Sequence, residues 1–449
     1  MRLVINMPYS ELYLQPQDSE TAILKLKDFL TFKSKVYNPQ TGKNEFDPVC
    51  LLESADGHFR FRTGLLYRVR KVAQVVGISL EEFDLRKMPT TSLKLKEVTL
   101  RDYQQEPVQK MLKQDMGVLC SATGSGKTWM AAALIAGRAV PTLFMVHTKE
   151  LLHQTKKVFE QALGTKVGII GDGHMEILPI TIATVQTLHN LISRFGKLDL
   201  GMDWGMVITD ECHHIPASTF FEVSGEFTCR YVYGLSATPD RKDGADLMIE
   251  AGAGPITAQV TSSNLIQSDD LVRPYVRFMP MAVRTSYEKL PFFVILRKYI
   301  VHYTPRNEMI RDLTKEQVLA GRSVLIAVNQ VKHAEILKGM IPDAVLMLGQ
   351  NLSSERKIIL AKLQSKEIRV IISTLLKEGV DVPSLDVVIN ASGGTDIRQL
   401  IGRALRTSEG KKSALFLDMI DNQHVILQKN SQKRMRSLEG EKEFVVVTA

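Results

Sequence analysis

Ala122-Thr123-Gly124-Ser125-Gly126-Lys127-Thr128 is the stretch on which the reading of this 449-residue chain turns. It follows an aliphatic run, Val118-Leu119-Cys120, and precedes an alanine-rich helical stretch, so it reads as strand, loop and helix in succession. The glycines let backbone N–H groups curl around phosphates, Lys127 can reach the outer phosphates of a nucleotide, and the Thr128 hydroxyl can hold Mg²⁺. The strict form of this pattern has glycine at 121, where this chain has Ser121.

Working outward, short aliphatic runs alternate with helical segments. Thr142-Leu143-Phe144-Met145-Val146, Ile180-Thr181-Ile182-Ala183, Met206-Val207-Ile208-Thr209 and Tyr231-Val232-Tyr233-Gly234-Leu235 each end in a polar or glycine-bearing loop. Such runs predict a parallel sheet wrapped by helices. After Pro274 and a helical stretch around Lys289 to Leu319 the theme restarts, from Ser323-Val324-Leu325-Ile326-Ala327 to Ala414-Leu415-Phe416-Leu417, predicting a second doubly wound sheet. Asp210 and Glu211 directly follow the Val207-Ile208-Thr209 run. A carboxylate at a strand end can bind the Mg²⁺ of a nucleotide, and its neighbour can orient or deprotonate the attacking water. Asp210 is assigned to the metal and Glu211 to the water.

Composition allows several classes and excludes others. The length predicts two or three domains of roughly 100–200 residues. No segment approaches the ~18 uninterrupted apolar residues of a membrane span, and the N-terminus shows no basic start followed by an apolar run. Four cysteines without a C-x-x-C pair argue against a disulfide framework or a zinc site and fit a reducing, cytoplasmic compartment. A formal charge of +8 permits a polyanionic partner.

With the P-loop and the paired acids in place, the chain resembles the superfamily 2 helicases, and further motifs of that family occur in order between residues 99 and 425. The resemblance implies two tandem RecA-like lobes that share ATP, Mg²⁺ and one nucleic-acid strand. Arg101-Asp102-Tyr103-Gln104 resembles the adenine-reading segment, with Arg101 and Gln104 as nucleotide contacts. His213, Ser236 and Thr238, the latter two in Ser236-Ala237-Thr238-Pro239, occupy the positions that couple hydrolysis to strand movement. For His213 a buried structural role is the rival reading. Ser373-Thr374 through Gly379-Val380-Asp381 resembles the segment that touches both strand and nucleotide. Gln399-Leu400-Ile401-Gly402-Arg403-Ala404-Leu405-Arg406 resembles the arginine-finger motif, which implies catalytic roles for Gln399, Arg403 and Arg406. Arg403 and Arg406 are three apart, so a helix turns both the same way, and guanidinium groups can stabilise the charge that spreads in phosphoryl transfer.

Family strand-binding positions fall on His147, Thr184, Gln186 and Thr374, where sequence-independent backbone contacts are expected. Helix capping is the alternative use of the two threonine hydroxyls. Residues 1–95 read as a small α/β accessory domain, 96–275 as the ATP-binding lobe and 276–449 as the C-terminal lobe. Alternation in Phe59-Arg60-Phe61-Arg62 sends the rings to one face and the arginines to the other, and a basic face bearing Arg60 and Arg62 could grip duplex DNA. The accessory stretch also resembles the leader of UvsW-type phage helicases, through Asp28-Phe29-Leu30-Thr31-Phe32, Tyr37-Asn38-Pro39 and Thr63-Gly64-Leu65-Leu66, while Gly254-Pro255-Ile256 and Leu271-Val272-Arg273-Pro274 resemble the lobe linker of the UvsW/XPB-like group. This likeness implies a phage enzyme acting on forked or branched DNA alongside replication or recombination proteins. Two other readings stay open: an RNA helicase, and a branched-DNA-binding module that has lost its ATPase. A basic stretch from Lys429 to Arg436 reads as a solvated terminal helix or a DNA contact.

Overall fold

The computed structural model describes all residues except 16–19, 39–42, 216–217, 238–245, 269–270, 376–384, 396, 398–399, 402–412, 440, 442 and 449, and the side chains at 35–45 and 353. The chain divides into two compact units: Met1–Ser121 with Gly126–Val260, and Thr261–Ala449 with the short stretch Ala122–Ser125.

The first unit holds a small and a large sheet. The small one has the order Leu52–Ala55, His58–Arg62, Tyr9–Tyr13, Arg2–Ile5, Glu81–Asp84, antiparallel except for its last pair. Helices Glu20–Phe29 and Leu66–Val75 accompany it. Its core gathers Leu3, Leu12, Leu26, Phe61, Leu65 and Val69, and takes in Leu247 and Ala251 from a helix at Asp246–Ala253. The leader therefore shares its core with the larger α/β body and is not tethered to it by a linker alone.

The large sheet runs His174–Glu176, Gly168–Gly171, Ile180–Thr184, Thr142–Val146, Met206–Thr209, Tyr231–Ser236, Met116–Ser121, Ile256–Val260. Only the His174–Glu176 edge is antiparallel. The inner strands are buried on both faces, which is why they read as unbroken apolar runs.

In the second unit a seven-stranded sheet has the order Val345–Met347, Val370–Ser373, Val324–Ala327, Val387–Asn390, Ser413–Ile420, Arg273–Pro280, Val445–Thr448, with every pair parallel. The strand Arg273–Pro280 runs through position 275, where the division between lobes was expected. Two doubly wound parallel sheets following a small α/β leader form the expected RecA-like tandem. Among the described residues no helix is long and apolar enough to cross a membrane.

Candidate active site

The loop after Met116–Ser121 owes its shape to two left-handed glycines, Gly124 at φ +89° and Gly126 at φ +76°. Gly126 caps helix Lys127–Arg138 without a side-chain hydrogen bond, and its carbonyl accepts from Trp129 and Met130. The first N–H groups of that helix thus lack a side-chain cap and form a cradle for an anion. A Cβ at 126 would meet the Gln104 amide nitrogen at 2.6 Å, so the adenine-reading candidate packs directly against the loop. Gln104 is buried, and its oxygen accepts the Arg101 N–H at 3.0 Å, which fixes the orientation of the amide. These features fit a bound nucleotide.

Lys127 donates to the Ser121 carbonyl at 3.2 Å and stands 3.9 Å from Glu211. Asp210 and Glu211 lie at the carboxyl end of Met206–Thr209, where the Asp210 N–H donates to the Met145 carbonyl of the neighbouring strand. Glu211 adopts φ +47°, a left-handed conformation that costs a side-chain-bearing residue about 1–3 kcal/mol and is characteristic of functional turns. Its N–H donates to Asp210 Oδ1 at 3.0 Å, which holds the two carboxyls apart. Burial and the neighbouring Glu211 charge push Asp210 up to about 6. Burial also opposes ionisation of Glu211, but Lys127 and then His213 outweigh it and bring that carboxyl down to about 2. Glu211 is thus kept ionised beside a lysine, as a residue that orients an attacking water must be. Thr128 and Asp210 would hold the Mg²⁺ of a nucleotide. Most of the ion's remaining ligands would come from phosphate and water, so no dedicated protein cage is needed.

His213 joins two motifs. Its Nδ1 lies 3.3 Å from Glu211 Oε2 and 3.1 Å from Ser236 Oγ, so one ring nitrogen faces both the Glu211 carboxylate and the end of strand Tyr231–Ser236. The ring lies 4.2 Å from that of His214, tilted at 37°, and His214 meets His147 at 5.1 Å and Phe220 at 5.8 Å. His147, a strand-binding candidate, therefore sits in this histidine group, close enough for its charge to act on both Asp210 and Glu211. Only the adjacency of His213 and His214 was visible in the sequence. Cys212 is fully buried, and a Cβ at Gly234 would meet its sulfur at 2.9 Å. Burial raises its thiol far above the ordinary range, in keeping with a small core residue.

Known proteins resemble the chain over the segments that carry this site. Residues 97–241 match the family described as type III restriction enzyme, res subunit, and residues 306–408 match the helicase conserved C-terminal domain, a span that includes Gln399, Arg403 and Arg406. The DNA 3′-5′ translocase XPB2 of Sulfurisphaera tokodaii is 28% identical over 400 residues, covering 78% of this chain and 88% of that protein. Helicase 22 of Sulfolobus islandicus filamentous virus is 25% identical across 93% of this chain and 80% of its own length. The two matched domains are those of superfamily 2 helicases, and XPB-type helicases are among the relatives. The fold is also that of yeast Dbp5 bound to RNA and ADP BeF3, with a TM-score of 0.54 and 16% identity, covering 79% of this chain and 90% of that one.

The remaining candidates of this helicase fall into three groups. Thr238, Gly379, Asp381, Gln399, Arg403 and Arg406 lie outside the described residues. Thr184 precedes helix Val185–Phe195, but its hydroxyl bonds that of Thr187 at 2.7 Å and makes no cap, while Gln186 donates to Asn190. Thr374 follows the strand Val370–Ser373 and is half-buried.

The third group corrects the sequence reading. Arg60 keeps its accessible position but pairs with Glu53 at 2.7 Å. Arg62 does not face solvent: it is 7% exposed and donates to the Phe221 carbonyl at 3.1 Å. Alternation placed both arginines on one face, and both stack on Tyr9, but part of that face is covered by the larger α/β body. Arg68 and Arg70 are also paired, with Glu250 and Glu82. The C-terminal basic stretch changes too. Arg434, on helix Val425–Arg436, is fully buried and bonds Asp418, the Met419 and Gly394 carbonyls and Ser431, so it is neither solvated nor open to DNA.

Proposed function

We propose that this chain is a DNA-dependent ATPase that translocates along DNA and unwinds or branch-migrates forked and branched substrates. The observation that carries the reading is the connected set Lys127, Glu211, His213 and Ser236, in which the histidine beside the residue assigned to the attacking water also touches Ser236 at the end of strand Tyr231–Ser236. A change of nucleotide state that shifts Glu211 therefore reaches Ser236 through a single imidazole. Lys127 binds the outer phosphates, Glu211 orients and deprotonates water, and Arg403 and Arg406 supply positive charge to the transferring phosphoryl group, with Gln399 beside them. Mg²⁺, when bound, neutralises charge on the phosphate oxygens.

DNA as the track is supported by the likeness to a DNA translocase, and branched DNA by the leader's likeness to the UvsW-type domain. Similarity to helicases of Sulfolobus islandicus filamentous virus and of Escherichia phage T5 supports a viral origin. The test is ATP hydrolysis and strand separation on a panel of single strands, duplexes, forks, four-way junctions and RNA. Forked DNA is expected to raise turnover most, and Arg406→Ala to abolish the stimulated rate while sparing ATP binding. Equal hydrolysis with and without DNA would sink the motor reading, and stronger stimulation by RNA would reassign the track.

A further inference from the structure

We propose that Arg62 is a positioning residue that ties the leader to the helix that follows Asp210 and Glu211, so that the seating of the leader sets how far DNA stimulates ATP hydrolysis. This rests on the reading of the chain as a DNA-stimulated ATPase. The Arg62 guanidinium lies between two rings, 4.6 Å from the Tyr9 centroid in the leader's own sheet and 4.5 Å from that of Phe221. Its Nη2 donates to the Phe221 carbonyl at 3.1 Å, and Gly225 leaves it room, since a Cβ there would meet Nη2 at 2.5 Å and Nη1 at 2.6 Å. Its Nε is buried without a hydrogen-bond partner among the described residues, and no carboxylate forms an ion pair with it there. As a stabilising contact alone this is a poor arrangement, because a buried charge without a counter-ion forfeits its hydration. As a mechanical tie it is apt: cation–π contacts and one directed bond hold two segments in register.

The segment it holds leads straight to the ATP site. Phe221 lies on helix Ser218–Ser224, and the adjacent Phe220 packs on His214, whose ring lies 4.2 Å from that of His213, the partner of both Glu211 and Ser236. A second tie grips the chain beyond Ser236. Arg68 pairs with Glu250 at 2.7 Å, and Gly64 approaches the carbonyls of Glu250 and Ala251 so closely that no Cβ would fit. The leader thus holds the helices that follow each of the two motifs His213 connects.

The experiment measures ATP turnover with and without saturating forked DNA, together with fork affinity, for the full chain, Arg62→Met, Glu250→Arg and the swap Arg68→Glu with Glu250→Arg. Methionine keeps the volume between the rings and removes the charge. Arg62→Met is expected to retain basal turnover, ATP KM and fork affinity while losing about 5- to 150-fold of the stimulation, the range of coupling between linked sites. Glu250→Arg should lose stimulation and the swap should regain it, a result independent of how well Arg62→Met folds. Full stimulation in Arg62→Met, an equal fall of basal and stimulated rates, or a loss of fork affinity matching the loss of stimulation would each overturn the proposal. If the unaltered chain shows no stimulation, the ATPase reading itself fails.

Discussion

The carboxyl ends of the two parallel sheets carry opposite kinds of charge chemistry. In the first, Lys127 and Glu211 stand 3.9 Å apart with side chains 15% and 21% exposed. In the second, Arg306–Asp421 and Arg434–Asp418 are both 2.7 Å pairs with all four side chains fully buried. The same architecture thus holds one lysine loosely, free to exchange a carbonyl and a distant carboxylate for phosphate oxygens, and locks two arginines for good. The locked pair has a definite task. Arg306 donates to the Ala391 carbonyl, Arg434 to that of Gly394, and Asn329 to that of Ser392, so three side chains clamp the backbone that leads toward Gln399. Loosely held charge marks a site that must change partners, and fully buried, paired charge marks the fixed frame of the fold.

The sharpest way to break the comparison is to remove one charge from each end. Glu211→Gln should lower single-turnover ATP hydrolysis by about 10²–10⁴-fold, the usual contribution of a general base. Its melting temperature should fall only slightly, because Glu211 is 21% exposed and gives up contacts of 3.9 Å to Lys127 and 3.3 Å to His213 rather than a buried ion pair. A melting temperature lowered as far as by the next variant would show that both ends are structural. Arg434→Leu should destabilise the second unit by about 3–5 kcal/mol, since it strands Asp418 in the interior. Adding Asp418→Asn should return part of that loss, as Asn390 can still donate to the amide oxygen at that position. Denaturant unfolding of both variants measures this, and an additive double mutant would mean the pair is not coupled.

What the sequence revealed follows the same divide. Lys127, Asp210 and Glu211 were legible because each sits at a strand end a few residues from the run that positions it. The inner strands were legible because burial on both faces leaves unbroken apolar runs, as in Val387–Asn390. Helix Glu20–Phe29 gives way at Thr31 to a β-hairpin. Arg62 and Arg434 escaped because their burial is decided by partners far along the chain, Phe221 and Gly225 for one, Asp418 and Gly394 for the other. Alternation fixes which way a side chain points, and only the tertiary contact fixes whether solvent waits there. A basic run, likewise, says nothing of which member turns inward.

The smallest expected effect probes the frame through acid. His333 is fully buried on helix Val331–Met340, where its Nε2–H donates to the Asn307 amide oxygen at 2.9 Å, and Asn307 in turn donates to the Val301 carbonyl. Burial first, then the charges of Arg306 and His302, bring the imidazole down to about 3, so the folded chain keeps it neutral while the unfolded chain takes up a proton near 6.5. Stability from this group is therefore complete above about pH 6.5 and drains as pH falls toward 3, at no more than about 1.4 kcal/mol per pH unit. A charged His333 would also stand beside Arg306 and weaken the clamp on Ala391. His333→Gln, which keeps a donor for Asn307 and cannot be protonated, should flatten the acid dependence of hydrogen exchange at Val324–Ala327 between pH 4 and 6 as read against the unaltered chain, by no more than about 2.5 kcal/mol. The first unit's strand Met206–Thr209 should lose protection with the same slope in both proteins. If both units lost their acid sensitivity together, the second sheet's charges would not be a frame of their own.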